Sequence, residues 1–392
     1  LAAISTRIDR TPAGLALSGT KMFITGATYS RLVKLLALHD GRPAVALVRL
    51  PESDTPSFHL RHYALHPLKH AHNAALEFDR FPLTEAHLLP APVGRDGPDA
   101  MRIIWHGLNR GRITLAAQAA GTLRILLAQA RDHALARVTW AAPIASRELV
   151  QGRLGRIAAR TIACDALAAW AATAIDSGGS GELEALTAKI VAGECVRDSA
   201  IDALGVHGGR AFLVGHPLGD SFHDHFAVTV YEGESDLLGL ALFKGLAKRH
   251  PLAGVRTSAA ARAAAWLAWR AAAFARPDHD GPILDQALRT HARRARRGLS
   301  RLALAIDRAI RRHGRSLAER QLEIGALSAR VRDLVSVIAV AHHADADSGD
   351  HALAAADVWC RLALARASGR HLTAADHTAM AALGKAVAGR LP

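Results

Sequence analysis

The chain has 392 residues and 49 Lys and Arg against 35 Asp and Glu, a formal charge of +14 at pH 7. That length is too great for one compact core and points to two or three domains, and the charge suits anionic partners such as phosphorylated cofactors, lipid head groups or nucleic acid. Cys164, Cys195 and Cys360 are odd in number, far apart and without a CxxC, which argues against a disulfide framework or a zinc ribbon and for a reducing compartment.

Half of the residues are apolar but only 5% are aromatic, with Ala and Leu dominant, a bias toward helix. No apolar run reaches ~20 residues without a charge, which argues against a membrane-spanning helix. The sequence opens at Leu1 without an initiator Met or a signal peptide and reads as truncated at its N-terminus.

Residues 1 to about 90 read as strands. Leu15 to Gly26 is strand, turn, strand; Val33–Leu38 and Ala44–Leu50 flank a turn at Asp40-Gly41-Arg42-Pro43; Phe58–Leu65 and Ala74–Phe78 follow, punctuated by Pro82 and Pro90. This predicts a small antiparallel sheet or barrel. From Asp99 the apolar period changes to i, i+3, i+4 over Ala100–Ala134, Arg147–Ala174 and Leu183–Leu204, as in an antiparallel bundle. A Gly208-Gly209 loop leads through Pro217 to a further helix ending near Lys248. Beyond His250-Pro251 come helices over Ser258–Ala275, Leu284–His313, Leu317–His342 and Ala352–Arg366, and a last one from Ala374. The fold class is therefore α+β: a β domain over 1–92, a long-helix bundle over 93–250 and an additional all-α domain over 251–392.

The run Val228-Thr229-Val230-Tyr231-Glu232-Gly233-Glu234-Ser235 carries the chemistry. A lone carboxylate sits among β-branched and aromatic residues, beside a glycine and ahead of an apolar helix. Such a carboxylate, placed in a tight apolar pocket, has a raised pKa and can act as a base toward a weakly acidic C–H.

Five segments in order resemble the acyl-CoA dehydrogenase family of flavoproteins, over roughly residues 10–250. Gly19-Thr20-Lys21-Met22-Phe23-Ile24-Thr25-Gly26 is similar to the family's flavin-ring strand, which implies that Phe23 and Thr25 lie against FAD. Leu108-Asn109-Arg110-Gly111-Arg112-Ile113, with Gly121 beyond it, is close to the very-long-chain branch and implies substrate contact by Asn109 and Arg112. Some branches carry the catalytic carboxylate where this chain has Gly111. Arg137-Val138-Thr139-Trp140-Ala141-Ala142-Pro143 resembles a segment that reaches across a dimer interface to the partner's FAD, with Trp140 in place of Phe and Ala141 in place of Gly. Ala203 to Ala211 keeps the Gly208-Gly209 pair but has Gly205 where the family has glutamine and Ala211 where it has a third glycine. In the last segment His223 replaces an arginine, and Glu234 stands where a hydroxyl near the cofactor is usual.

The resemblance implies that Glu232 removes the α-proton of an acyl-CoA while hydride passes from the β-carbon to the flavin. Tyr231 and Gly233 would contact the substrate, and Glu234 the cofactor region. It further implies a homodimer, an electron-transfer flavoprotein as acceptor, β-oxidation of long acyl chains, and an N-terminal domain with a flavin-binding segment ahead of residue 1. The alternative is a non-catalytic or nucleic-acid-associated flavoprotein homologue.

Two further features stand apart. Arg289 to Arg320 holds eleven arginines against Asp307 and Glu319, with Leu284, Leu288, Leu299, Leu302, Ile306 and Ile310 on one face. This basic amphipathic helix reads as a solvated face or as a peripheral membrane contact over 284–313. Nucleic acid is disfavoured because stacking aromatics are lacking there. The stretch from His342 to His351 matches neither an EF-hand nor a helical zinc pair, so no metal site is expected. The expected location is the cytoplasm of a bacterial-type cell, at most on the inner face of the membrane.

Overall fold

A computed structural model describes residues 4–94, 97–253, 258–275, 283–347 and 349–389. The chain forms two compact units, Leu1–Arg110 and Gly111–Pro392. Ser348, within the His342–His351 stretch, lies outside the described residues.

The first unit is built on β1 (Arg7–Thr11), β2 (Gly14–Thr25), β3 (Leu32–His39), β4 (Arg42–Arg49), β5 (Phe58–His62) and β6 (Asn73–Leu83), in the order β4-β3-β1-β2-β6-β5. A two-residue pair, β7 (Val93–Gly94) and β8 (Gly97–Pro98), follows. The neighbours in the large sheet run antiparallel except β1 and β3, which pair in parallel at Arg7↔Leu38 and Ile8↔His39. Among the described residues the sheet is thus open, with β4 and β5 at its edges, rather than a closed barrel.

The β3–β4 turn is only Asp40-Gly41, both at positive φ (50° and 72°), the geometry a two-residue hairpin demands. Arg42 and Pro43 already belong to β4. Pro82 likewise lies within β6, opposite Ala16, and does not end the strand. Alternating apolar positions fill the core, where the rings of Phe58, Phe78 and Phe81 lie 5.5–6.2 Å apart. The β2–β6 register shifts between Lys21 and Ile24, and that bulge leaves Met22 and Phe23 about 60% exposed.

The second unit is helical. α1 (Met101–Ala136) enters it from the first and ends in a hairpin of β9 (Val138–Thr139) and β10 (Ala142–Pro143). There follow α2 (Glu148–Asp176), α3 (Glu182–His207), α4 (Pro217–Asp220), α5 (Phe222–Ala227) and α6 (Ser235–Lys248). Then come α7 (Ala259–Ala275), α8 (Gln286–His313), α9 (Gln321–Asp347), α10 (Asp350–Ser368) and α11 (Ala374–Ala388). By length and composition alone α1 could cross a membrane, yet Leu115, Leu123 and Leu126 are buried in the bundle core.

One continuous core joins the helices before and after residue 250: Leu154, Ile157 and Leu167 of α2 share it with Leu288, Val337, Trp359 and Leu383. This changes the reading of α8. Leu288, Ala292, Ala295, Leu302 and Ala309 are buried in that core, so its apolar face is not available to insert into a bilayer. Fully buried Asp307 anchors α7 to α8, accepting from Trp266 Nε1 at 2.8 Å and pairing with Arg270 and Arg311.

α2 and α11 cross at near backbone contact. A Cβ on Gly384 would stand 1.8 Å from the Gln151 carbonyl oxygen, and one on Gly155 2.2 Å from that of Met380. Gly384→Ala must push the helices apart, and overpacking of this kind costs about 1–3 kcal/mol or more. Chemical denaturation should show that loss, while Gly325→Ala, where a Cβ meets nothing within 4 Å, should show none.

Candidate functional site

The loop 228–234 between α5 and α6 is shaped from beneath. Lys189, on α3, is fully buried and donates from Nζ to the carbonyl oxygens of Thr229, at 3.2 Å, and of Gly233. Burial pushes its pKa down to about 8, an effect that Arg112 adds to and that Glu234, Glu232 and Glu194 oppose. Ser235 closes the loop by donating its N–H to the Thr229 oxygen at 3.1 Å. Between these anchors the chain makes a turn with Glu232 at φ 58° and Gly233 at φ 111°. A left-handed glutamate is costly and calls for enforcement by its surroundings. Here the two carbonyls tied to one ammonium provide it.

Arg112 of α1 is buried and donates from Nε to the Glu232 carbonyl oxygen at 3.2 Å. One residue before it, a Cβ on Gly111 would lie 3.4 Å from Glu232 Oε1 and 3.6 Å from Oε2. The glycine therefore leaves room for this carboxylate, and positions 111 and 232 address the same point in space. Glu232 itself is exposed, not enclosed in the tight apolar pocket its sequence neighbours suggest. Among the described residues its backbone N–H donates to no protein group. The loop thus offers a carboxylate and a free amide donor side by side. Tyr231, just before it, has its pKa raised by burial and then by Asp224 and Glu232.

Glu234 is the N-cap of α6, accepting from the N–H groups of Asp236 and Leu237 at 3.0 Å each. Burial would raise its pKa, but those hydrogen bonds hold it below the usual carboxylate value. The side chain is committed to its own helix.

A second group of site residues lies where α1 and α3 end. Trp140 and Ala141 form the β9–β10 turn, both left-handed at φ 48° and 61°. Trp140 is 89% exposed, with the Arg147 guanidinium over its ring at 5.3 Å. Arg137, just ahead of the hairpin, is exposed. Gly208 is the left-handed C-cap of α3 at φ 62°, and nothing stands within 4 Å of where a Cβ on Gly208 or Gly209 would be. Gly205 is different: its Cβ would meet the Arg153 guanidinium at 2.6 Å, so Arg153 fills that space and binds the Gly205 carbonyl.

Sequence reasoning missed two features here. One is Lys189. The other is a row of imidazoles: His133 of α1 and His207 of α3 stack at 4.6 Å, and His207 meets His216 at 4.9 Å. Neither ring nitrogen of His207 has a hydrogen-bond partner, although the residue is only 9% exposed. Burial, then His133 and His216, push its pKa down to about 4. Their spacing along the chain gave no signal, because His133 meets His207 only where the ends of α1 and α3 come together, and His216 returns to His207 from the start of α4.

In the first unit Phe23 is left-handed at φ 56°, 61% exposed and 5.1 Å from the Tyr63 ring, so it offers a free apolar face. Thr25 Oγ donates to Asn73 Oδ1 at 3.1 Å. Asn109 is buried. Among the described residues no group of three His, Cys, Asp or Glu is placed to hold a metal ion.

Residues 101–247 match the family model of the acyl-CoA dehydrogenase C-terminal domain. An acyl-CoA dehydrogenase of Bacillus subtilis is 30% identical over 59% of this chain and 60% of its own length. The mitochondrial very long-chain specific acyl-CoA dehydrogenase of Bos taurus is 24% identical over 68% of this chain and 43% of its own. The chain thus spans less than two thirds of the length of these relatives. The crystal structure of an acyl-CoA dehydrogenase from Bacillus anthracis complexed with FAD superposes with a TM-score of 0.77 at 15% identity, over 98% of this chain and 72% of that one.

The buried imidazole gives the stability a sign with pH. His207 is held near 4 in the folded chain, against about 6.5 when unfolded. Between those values the unfolded chain binds the extra proton, so stability is full above about 6.5 and falls as pH drops toward 4. The loss is bounded at about 3 kcal/mol. Denaturant titrations between pH 7 and 4 should show it in the parent, and His207→Phe should flatten the slope.

Proposed function

The chain belongs to the acyl-CoA dehydrogenase family, and on that premise we propose that it serves FAD-dependent α,β-dehydrogenation of a long-chain acyl-CoA with Glu232 as the base. The observation that carries the reading is the paired anchoring of the Glu232 loop by Lys189 and Arg112, with the carboxylate standing over Gly111.

The residues present fit the cofactor. Gly208 and Gly209 leave open backbone beside exposed Arg137. This set of donors suits a diphosphate. Within the first unit, taken by itself, Phe23 offers a flat apolar face for a ring system, and Thr25, whose hydroxyl donates to Asn73, keeps only its oxygen as an acceptor. When bound, FAD supplies the acceptor for the hydride that leaves the β-carbon.

The protein's own part is proton chemistry. A Glu232 oxygen takes the α-proton, and the pair of electrons from that C–H bond becomes the new Cα–Cβ π bond. The Glu232 N–H donates to the thioester oxygen and stabilises the enolate-like charge as it develops, the usual benefit of a preorganised donor. Arg112 keeps that amide in place through the neighbouring carbonyl. A substrate lying over Glu232 excludes water from an exposed carboxylate and makes it a stronger base.

Exposed Trp140 and the exposed apolar run Phe212-Leu213-Val214 suit burial against a second copy of the chain. An electron-transfer flavoprotein is the proposed acceptor of the reducing equivalents, and the cytoplasm the proposed location. Anaerobic addition of palmitoyl-CoA to the FAD-loaded protein should bleach the flavin band. Glu232→Gln should slow that bleaching by about 10²–10⁴-fold while still binding FAD. Equal bleaching rates in the two proteins would remove Glu232 from the role.

A further inference from the structure

The arginines of α8 remain after the dehydrogenase reading is complete. A cavity of about 390 Å³ lies between α8, α9 and the corner joining α10 to α11, within the size range of small-ligand pockets. Six arginines line it, 294, 297, 301, 330, 361 and 370, against a single carboxylate, Asp376.

Its floor is a closed charge network. Asp357 accepts from His291 Nε2 and from Arg361 Nε, each at 2.7 Å, and Asp376 pairs with Arg361 at 3.3 Å and Arg370 at 2.6 Å. The walls are different. Arg294, Arg297 and Arg301 follow one another on the turns of α8, and among the described residues none of the three has a carboxylate partner. Arg330 faces them from α9, held by the Ala367 carbonyl oxygen at 2.8 Å.

A second observation points to a ligand. His291 lines the same cavity with its side chain 8% exposed, and its Nδ1 has no hydrogen-bond partner. Nε2 is already bound to Asp357, so Nδ1 is left for an occupant. An occupant that accepts from Nδ1 requires the imidazolium, whose charge Asp357 balances.

In a neighbouring cavity of about 860 Å³ most of the lining arginines are paired with carboxylates. There Arg156 and Arg160 pair with Asp202, Arg332 with Glu194 and Arg366 with Asp333. The α8 cavity lacks that balance along its wall.

We propose that the α8 cavity binds a small ligand carrying two or more phosphoryl groups. Guanidinium groups on one side of a concave site are suited to phosphate oxygens. Arg294 and Arg301 are separated by roughly 10 Å along the axis at 1.5 Å per residue, so a single phosphate reaches one or two of the three and a linked row reaches all. The recessed shape and buried imidazole favour a small molecule over a polymer. The buried apolar face of α8 argues against a lipid surface.

Isothermal titration of the full chain with sodium triphosphate, and with orthophosphate as comparison, tests this. Triphosphate should bind at least about tenfold more tightly than orthophosphate. Arg294→Gln/Arg297→Gln/Arg301→Gln should weaken it about tenfold or more, in line with the strength of charge-assisted hydrogen bonds. Arg293→Gln/Arg312→Gln/Arg315→Gln removes the same charge outside the cavity and should change binding by less than about twofold. His291→Phe should also weaken it. No binding of triphosphate, or equal losses in the two triple variants, overturns the proposal. So does tighter binding of a short DNA duplex or of phosphatidylserine vesicles that the cavity variant abolishes.

Discussion

A single buried ammonium sets the geometry on which the candidate site depends. Lys189 lies at 0% exposure under the 228–234 loop and ties together the carbonyls of Thr229 and Gly233. Burying a cation without partners costs several kcal/mol, whereas hydrogen bonds to a charged group return about 1.5–3 kcal/mol each. Glu232, Glu234 and Glu194 add favourable charge around it, and Arg112 opposes them. The balance leaves a protonated lysine at neutral pH with two of its donors occupied by the loop backbone. Everything between the two carbonyls is then forced to turn, and the turn places Glu232 in a left-handed conformation that it would not hold alone.

The same principle, a buried charge that organises backbone or helices around it, recurs elsewhere in the second unit. Asp307 gathers Trp266, Arg270 and Arg311, and Asp376 closes the N-terminus of α11 while pairing with Arg361 and Arg370. Burial works against the charge of Asp376, yet hydrogen bonds from Thr373, Arg370 and Arg361 hold it well below the usual carboxylate range. Such sites explain how so basic a chain packs a continuous core. Many arginines are neutralised where helices meet. The wall of the α8 cavity is where that neutralisation stops.

Much of the architecture was legible because long Ala- and Leu-rich periods leave little ambiguity. The ends of α1, α2, α3 and α8 fall within about three residues of where the apolar period placed them. Turn chemistry was less legible: Arg42-Pro43 looked like part of a turn but pairs within β4, because Asp40-Gly41 alone suffices for the reversal. At the site, the Tyr231-Glu232-Gly233 motif could be read directly. The duty of Glu234 could not, since a carboxylate two residues on from the proposed base and one that caps a helix look alike until the α6 start is known. Gly205 and Arg153 show the same limit, with one residue's space filled by another 52 positions away. Lys189 and the row of His133, His207 and His216 carry no local signature at all.

We propose that the base acts from a point that the loop and α1 share. A relocation tests it most directly. In Glu232→Gly the carboxylate is lost, and Gly111→Glu returns one to the position whose Cβ points at the Glu232 carboxylate from 3.4 Å. Acyl-CoA-dependent flavin reduction should collapse in the single variant and recover by about tenfold or more in the double variant, within the range by which a positioned base accelerates proton transfer. A double variant that folds and binds FAD but is no faster than Glu232→Gly would contradict the account.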